Sequence, residues 1–436
     1  MRGLAGREGA GSVPDEERRK RELVYERLYR EWEESHWSAT AIDFTADARH
    51  WREVLDEQQR EASLWNYALF LEGVTRVSRS LTAVLDAAPS PAHALFVSSQ
   101  IVDEARNRMF LDRFMREVAG KGHDPTSTSE ALEHYMTWGF RQLLDELEAT
   151  AGSLRRHPDD RTLLTRVIAL CHVIVEGVLA VPAEHFIYRY VSEREIMPGL
   201  TEGIGRIARD EARHVAFGMT LLGRLIRASS DNRIAAIKTW NRALPWMVGV
   251  FVPPNVDRRY AECFGFTLEE IYAFGLESFE TKLEELGVPP EELTLLRLDD
   301  RSLSYEQRAA RMATLIETRV LGDETKEPRP NHEALEILFE GTVRAVDLET
   351  ARSLDGPIQW DFMDAEPWHV VVTDGHAEAK PGRVENAALT LEISAADWAR
   401  VAVGRVDARW ALLKRRLRVH GTWQAKSRLS KLFGSR

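Results

Sequence analysis

The sequence predicts a two-part chain: an all-α bundle over its larger N-terminal part, then a small α+β domain of about a hundred residues. Three observations carry this. Apolar residues recur at helical spacing from about Glu22 to Val320, with Pro and Gly confined mainly to the breaks. Beyond the charged, proline-bearing stretch Gly322-Asp323-Glu324-Thr325-Lys326-Glu327-Pro328-Arg329-Pro330 the period changes to strand-like alternation. At 436 residues, with 44% hydrophobic and 29% charged side chains, the chain is long enough for two or three folded units and too apolar to be mostly disordered.

Taken in order, residues 1–20 are rich in Gly, Arg and Glu, lack the apolar core of a signal peptide and are expected to be a disordered tail. The bundle is assigned to 21–321. Helices are predicted over 56–87, 91–119, 128–152, 160–190 and 195–228, with shorter ones near 234–248, 267–286 and 304–320. The breaks are Ala88-Pro89-Ser90-Pro91, His123-Asp124-Pro125 and His157-Pro158-Asp159. A linker takes 322–332 and the α+β domain 333–436. In that domain Ile358, Trp360 and Phe362, then Trp368, Val370 and Val372, then Leu389, Leu391 and Ile393 each alternate with polar neighbours and predict strands. Helices near 395–404 and from Asp407, a short strand at Leu417–Val419 and an amphipathic helix from Gln424 to Phe433 complete it.

The formal charge of -11 argues against non-specific nucleic-acid binding. Two cysteines, Cys171 and Cys263, exclude a disulfide framework and the usual thiolate zinc or iron–sulfur sites, and they suit a reducing cytoplasm. No uninterrupted apolar run reaches the roughly 18 residues that read as a transmembrane segment. No phosphate-binding, dinucleotide-binding or serine-hydrolase motif stands in its required context. The charge is unevenly placed: residues 333–400 carry 5 basic and 14 acidic side chains, 401–436 carry 10 and 1. Pairing with the acidic bundle and docking on an anionic carrier protein or lipid surface are the two readings of the basic end.

Carboxylates inside apolar helices are the main chemical signal. Asp103-Glu104-Ala105-Arg106-Asn107 and Asp210-Glu211-Ala212-Arg213-His214 nearly repeat, and the second contains Glu-x-x-His, which places a carboxylate and an imidazole on one helix face. Glu72 and Glu176 sit in the apolar runs 68–74 and 173–181. Burying an unpaired carboxylate is prohibitive, so each needs a cation. Arg76, Arg106 or Arg213 could supply it, but four buried ion pairs on four helices gain little over apolar packing. One metal cluster accounts for all four. The order Glu72, Glu104, Glu176, Glu211 with His214 is the four-helix pattern of ferritin-like carboxylate proteins.

On these ligands, the Asp-Glu-Ala-Arg context on two helices and Leu244-Pro245-Trp246 after the last ligand helix, residues of about 50 to 290 resemble the ribonucleotide reductase small-subunit superfamily, especially its ligand-binding oxidase branch. The resemblance implies a ferritin-like bundle with two iron ions, or a manganese–iron pair, that reacts with dioxygen. It implies Glu72, Glu104, Glu176, Glu211 and His214 as metal ligands, Asp103 and Asp210 as acids orienting the histidine of the opposite helix, and no catalytic residue beyond the ligands. The chain departs from the pattern at Asn107, where the family has a histidine. Three outcomes are open: Asn107 or a water it holds completes a weaker site, His172 supplies the missing nitrogen, or one metal position is lost. Leu111 occupies the place of the family's radical tyrosine, which speaks against ribonucleotide reduction.

Residues of about 333 to 436 resemble a sterol-carrier-protein-like domain through Ile358-Gln359-Trp360-Asp361-Phe362, Leu389-Thr390-Leu391-Glu392-Ile393, Ala395-Ala396-Asp397-Trp398 and Leu417-Arg418-Val419-His420-Gly421. That resemblance implies an apolar tunnel, and ligand binding or dimerisation. Together the two resemblances imply a cytoplasmic, homodimeric oxidoreductase that uses dioxygen to hydroxylate, desaturate or N-oxygenate a hydrophobic or carrier-linked substrate, with an electron donor not specified by the sequence. Two other readings are a lipid or small-molecule carrier with a degenerate metal site and a self-modifying oxidase.

Overall fold

The computed structural model describes residues 15–297, 299–354, 356–373 and 376–432. Helix α1 (Asp15–Glu34) begins inside the stretch expected as a tail; the rest of that stretch, before Asp15, lies outside the described residues. It is followed by α2 (Thr45–Glu53), α3 (Glu57–Asp86), α4 (Pro91–Glu117), α5 (Pro125–Leu132), α6 (Trp138–Arg156), α7 (Arg161–Glu193), α8 (Pro198–Ala228), α9 (Ser230–Val248), α10 (Leu268–Glu285) and α11 (Tyr305–Glu317).

Local chemistry fixes the ends of these helices. Asp56 and Gln59 form a reciprocal capping box on α3, Pro91 opens α4, and Asp160 accepts the first amides of α7. The start of α8 is capped from elsewhere: the buried Asp47 of α2 accepts from the Gly199 and Leu200 amides at 2.9 and 2.7 Å. This anchors the helix that carries Asp210–His214. Helix α7 is apolar and long enough to cross a membrane by composition, but 83% of its 18-residue apolar window is buried inside the bundle.

The C-terminal part opens with α12 (His332–Ala345) and holds a five-stranded sheet, β1 (Ile358–Phe362), β2 (Trp368–Thr373), β3 (His376–Pro381), β4 (Leu389–Ile393) and β5 (Arg418–Gly421), in the order β3-β2-β1-β4-β5. β1 and β4 run parallel, Trp360 beside Leu391; the other pairs are antiparallel. Strand β3 was not predicted, because His-Ala-Glu-Ala-Lys-Pro is a polar edge with no buried face. Helices α13 (Ala395–Ala402), α14 (Ala408–Leu413) and α15 (Trp423–Leu432) complete the domain. Its centre is filled by aromatic rings: Phe339 stacks on Trp368 at 4.7 Å and meets Trp360 edge-on.

Helix α12 joins the two parts. Leu335 and Phe339 belong to the core of the sheet, whereas Ala334 and Leu338 join Val248, Tyr272, Ile316, Val320, Ala399 and Val403 in a second core at the junction. The expected linker is irregular and packed: the Arg329 amide donates to the Thr318 carbonyl and Arg405 donates to that of Arg319.

Candidate metal centre

Helices α4, α7 and α8 bring three carboxylates and one imidazole together. Ligand atoms of Glu104, Glu176, Glu211 and His214 lie within 4.8 Å of one another, and all four side chains are buried. His214 Nδ1 is 3.4 Å from Glu104 Oε1 and 3.5 Å from Glu211 Oε2. Within α7 the segment Ala169–Ala180 is wound as a π-helix, with i→i+5 bonding. That winding sets Cys171 against Glu176, its thiol 3.6 Å from Oε1. Gln100 of α4 donates to the same oxygen at 2.8 Å, and its own Oε1 accepts from His172 Nε2 at 3.0 Å.

Four buried atoms of this cluster have no hydrogen-bond partner: Glu104 Oε1, Glu176 Oε2, Glu211 Oε2 and His214 Nδ1. One unsatisfied buried acceptor is costly; four converging ones describe a site shaped for a cation. Carboxylate and imidazole donors suit iron or manganese. The electrostatics agree. Burial, then repulsion from Glu211, pushes the Glu104 carboxyl well above its ordinary value and that of Glu176 up to about 8. His214 is also raised well above its ordinary value: burial opposes this, but Glu211 and Asp103 outweigh it. Without a cation the cluster holds protons in its place.

A ring of charge surrounds the centre. Asp103 Oδ2 lies 3.1 Å from His214 Nε2, and its Oδ1 accepts from Trp32 at 2.7 Å and from Arg106. Asp210 accepts from Trp37 and Arg106, both at 2.9 Å, and from Arg213. Each Asp-x-x-Arg pair is thus braced by its counterpart on the facing helix. Burial alone would raise Asp103, but His214, Arg106 and Trp32 hold it below its ordinary value.

On the α3 side an apolar cavity lined by Asn66, Phe70, Gly73, Val77, Phe140 and Leu179 ends on Glu104, Glu176 and Glu211. A larger apolar cleft at the domain junction shares Leu179 and Phe251 with it, and reaches Leu338 and Val403 of the C-terminal part.

A sequence model of the ribonucleotide reductase small chain matches residues 22–244, just over half of the chain. The chain belongs to this family. A second model, the SCP-2 sterol transfer family, matches residues 339–434. Among solved structures, an R2-like ligand-binding oxidase with aerobically reconstituted Mn/Fe cofactor is similar at 18% identity and a TM-score of 0.52, over 60% of this chain and 92% of that one. The R2-like ligand-binding oxidase from Sulfolobus acidocaldarius is similar at 21% identity and a TM-score of 0.51, over 65% and 93%.

On this small-chain bundle the residues singled out from the sequence separate. Glu104, Glu176, Glu211 and His214 converge. Glu72 does not: the face of α3 turned to the cavity carries Asn66, Leu69, Phe70, Gly73 and Val77, and Glu72 lies off that phase. It is half-buried in a separate hollow with Glu130, Glu133 and Arg141, and Arg76 and Arg108 are its principal countercharges. Asp210 meets no histidine, because Asn107 stands in that place; Asn107 Nδ2 lies 3.4 Å from Glu211 Oε1. His172 offers a ligand atom within 4.8 Å of those of Cys171 and Glu176 but is not in the four-residue cluster; its Nε2 meets Gln100, and burial lowers its pKa to about 3. Sequence reading missed three neighbours of the cluster: Gln100, the Cys171 thiol, and Glu184, a buried acid two turns beyond Glu176. The eight-residue interval was the available signal for the last.

Proposed function

We propose that the chain is an oxygen-dependent di-metal oxidase or oxygenase that hydroxylates, desaturates or N-oxygenates a hydrophobic or carrier-linked substrate. The observation that carries this reading is the apolar cavity ending on three unsatisfied carboxylates. Glu104, Glu176, Glu211 and His214 would hold iron or manganese, and the bound metals would supply the activation of dioxygen. The chain's own part is positioning. Gln100 fixes one oxygen of Glu176 and leaves the other to the centre, while Asp103 accepts a hydrogen bond from Nε2–H of His214 so that the Nδ1 lone pair faces inward. Leu69, Phe70 and Val74 exclude water and orient an apolar chain. The SCP-2-like part, through the cleft at the junction, would collect such a molecule and pass it inward.

The test is anaerobic loading with ferrous iron followed by stopped-flow absorbance and oxygen-electrode measurements. Oxygen uptake tied to metal content is expected. A metal-replete preparation with well below one iron or manganese per chain would overturn the reading. Asn107 and the displaced Glu72 favour a second reading, a lipid carrier with a degenerate centre, which predicts a tightly retained apolar ligand and no oxygen uptake with any reductant.

A further inference from the structure

Outside the four-residue cluster, the buried carboxylates among the described residues have partners. Asp47 accepts two amides, Asp103 and Asp210 share Arg106 and Arg213, Asp112 meets Arg116 at 2.7 Å, and Glu280 meets Arg308. Glu184 is the exception. Its side chain is 5% exposed, its Oε1 has no donor, and no ion pair reaches it among the described residues. A carboxylate in that position is tolerated only if a cation or a proton satisfies it.

Its place identifies the cation. Glu184 follows Glu176 by two turns of α7, so the two acids lie along one face of the helix. Ala180 and Ala183, on the same stretch, line the cavity that ends on the cluster. The charges acting on it most strongly are Glu211, His214 and Glu176, with Asp210 further down the order. Glu211 is also the residue Asn107 faces, and Asn107 Oδ1 is itself buried without a donor. An unsatisfied amide oxygen and an unsatisfied carboxylate thus share Glu211 as a neighbour, and Asn107 holds the place of the family's missing histidine.

We propose that Glu184 and Asn107 Oδ1 bind the second metal ion of the centre, the carboxylate replacing the histidine that α4 lacks. The proposal rests on the di-metal reading above. It gives the second position an all-oxygen donor set, which suits manganese(II), whereas the position served by His214 keeps a nitrogen.

The full-length protein titrated with manganese(II) alone tests this by elemental analysis and electron paramagnetic resonance. Wild type is expected to take two manganese ions per chain and give the spin-coupled signal of a close pair. Glu184→Gln is expected to take one, with the second bound more than about tenfold more weakly and the signal reduced to that of an isolated ion. Adding Asn107→His to that variant should restore the pair. Metal-free Glu184→Gln should melt no lower than wild type, which shows that the fold survives. Two manganese ions bound with unchanged affinity by Glu184→Gln would overturn the assignment, as would a single ion in wild type. Wild type that takes no metal would instead sink the di-metal reading beneath it.

Discussion

Asp103 Oδ2 and His214 Nε2 face each other at 3.1 Å across the α4–α8 interface, both side chains buried. A hydrogen bond there fixes the imidazole ring and leaves Nδ1, the atom nearest Glu104 and Glu211, as the free donor. Asp103→Asn removes the negative charge that holds this tautomer while keeping the shape. Metal affinity is expected to fall by about 10- to 100-fold with the ratio of metal to chain unchanged, read by competition with a chelator. An unchanged affinity would mean that packing alone orients His214.

The close approach of α7 and α8 depends on Gly218. A Cβ built there would lie 2.1 Å from His172 Cβ and 2.5 Å from its Cγ. Gly218→Ala must therefore move the π-wound segment or distort α8. Urea unfolding of the metal-free protein should show a loss of about 1–3 kcal/mol, and the shift should loosen the Gln100–Glu176 contact. Gly152→Ala on α6, where the added Cβ would meet only the tip of the Arg156 side chain at 3.8 Å, should instead be neutral or gain up to about 1 kcal/mol.

Much of this architecture was legible in the sequence because period and punctuation agree: a predicted helix over 56–87 is α3 at Glu57–Asp86, and the proline breaks fall between helices. What composition could not supply was phase. The apolar run around Glu72 indicates a buried helix but not which side of it faces the other ligands, and a rotation of one or two residues turns Glu72 outward to Arg76 and Arg108. Glu184 failed to stand out for the converse reason. It sits beside Pro182 and His185 in a stretch that reads as a polar face, and only its distance from Glu176 along a helix wound partly as π places it inward. No residue pattern announces π winding in advance.

The junction between the two parts has a polar pin in an apolar surround. Arg308 of α11 is 4% exposed and bonds both oxygens of Glu280 on α10, with Asp299 at 2.6 Å. Glu280→Leu leaves the guanidinium with a single anion. Because Asp299 still balances the charge while the guanidinium loses its bonds to Glu280, a loss of about 1–3 kcal/mol is expected. Differential scanning calorimetry should show it, together with easier proteolysis between α11 and α12. Replacing Arg308, Glu280 and Asp299 together by apolar residues should recover much of that stability.

The proton content of the centre sets its pH dependence. Burial, then Glu211, raises Glu176 from 4.5 to about 8, and burial raises Glu104 and Glu184 in the same direction. The folded metal-free protein therefore keeps protons that the unfolded chain gives up above the ordinary carboxylate range. That contribution to stability is complete below about pH 4.5 and is lost as the pH rises towards 8. A divalent cation replaces those protons. The melting temperature of metal-free protein should fall between pH 6 and 8.5 relative to the metal-loaded form, so the gap between them widens with pH. Metal affinity should rise over the same interval, and calorimetric titration in buffers of different ionisation enthalpy should detect proton release on binding. Glu176→Gln carries no titratable proton at that position, so its metal-free form should lose part of this pH dependence. An equally steep dependence in that variant would assign the protons to Glu104, Glu184 and His214.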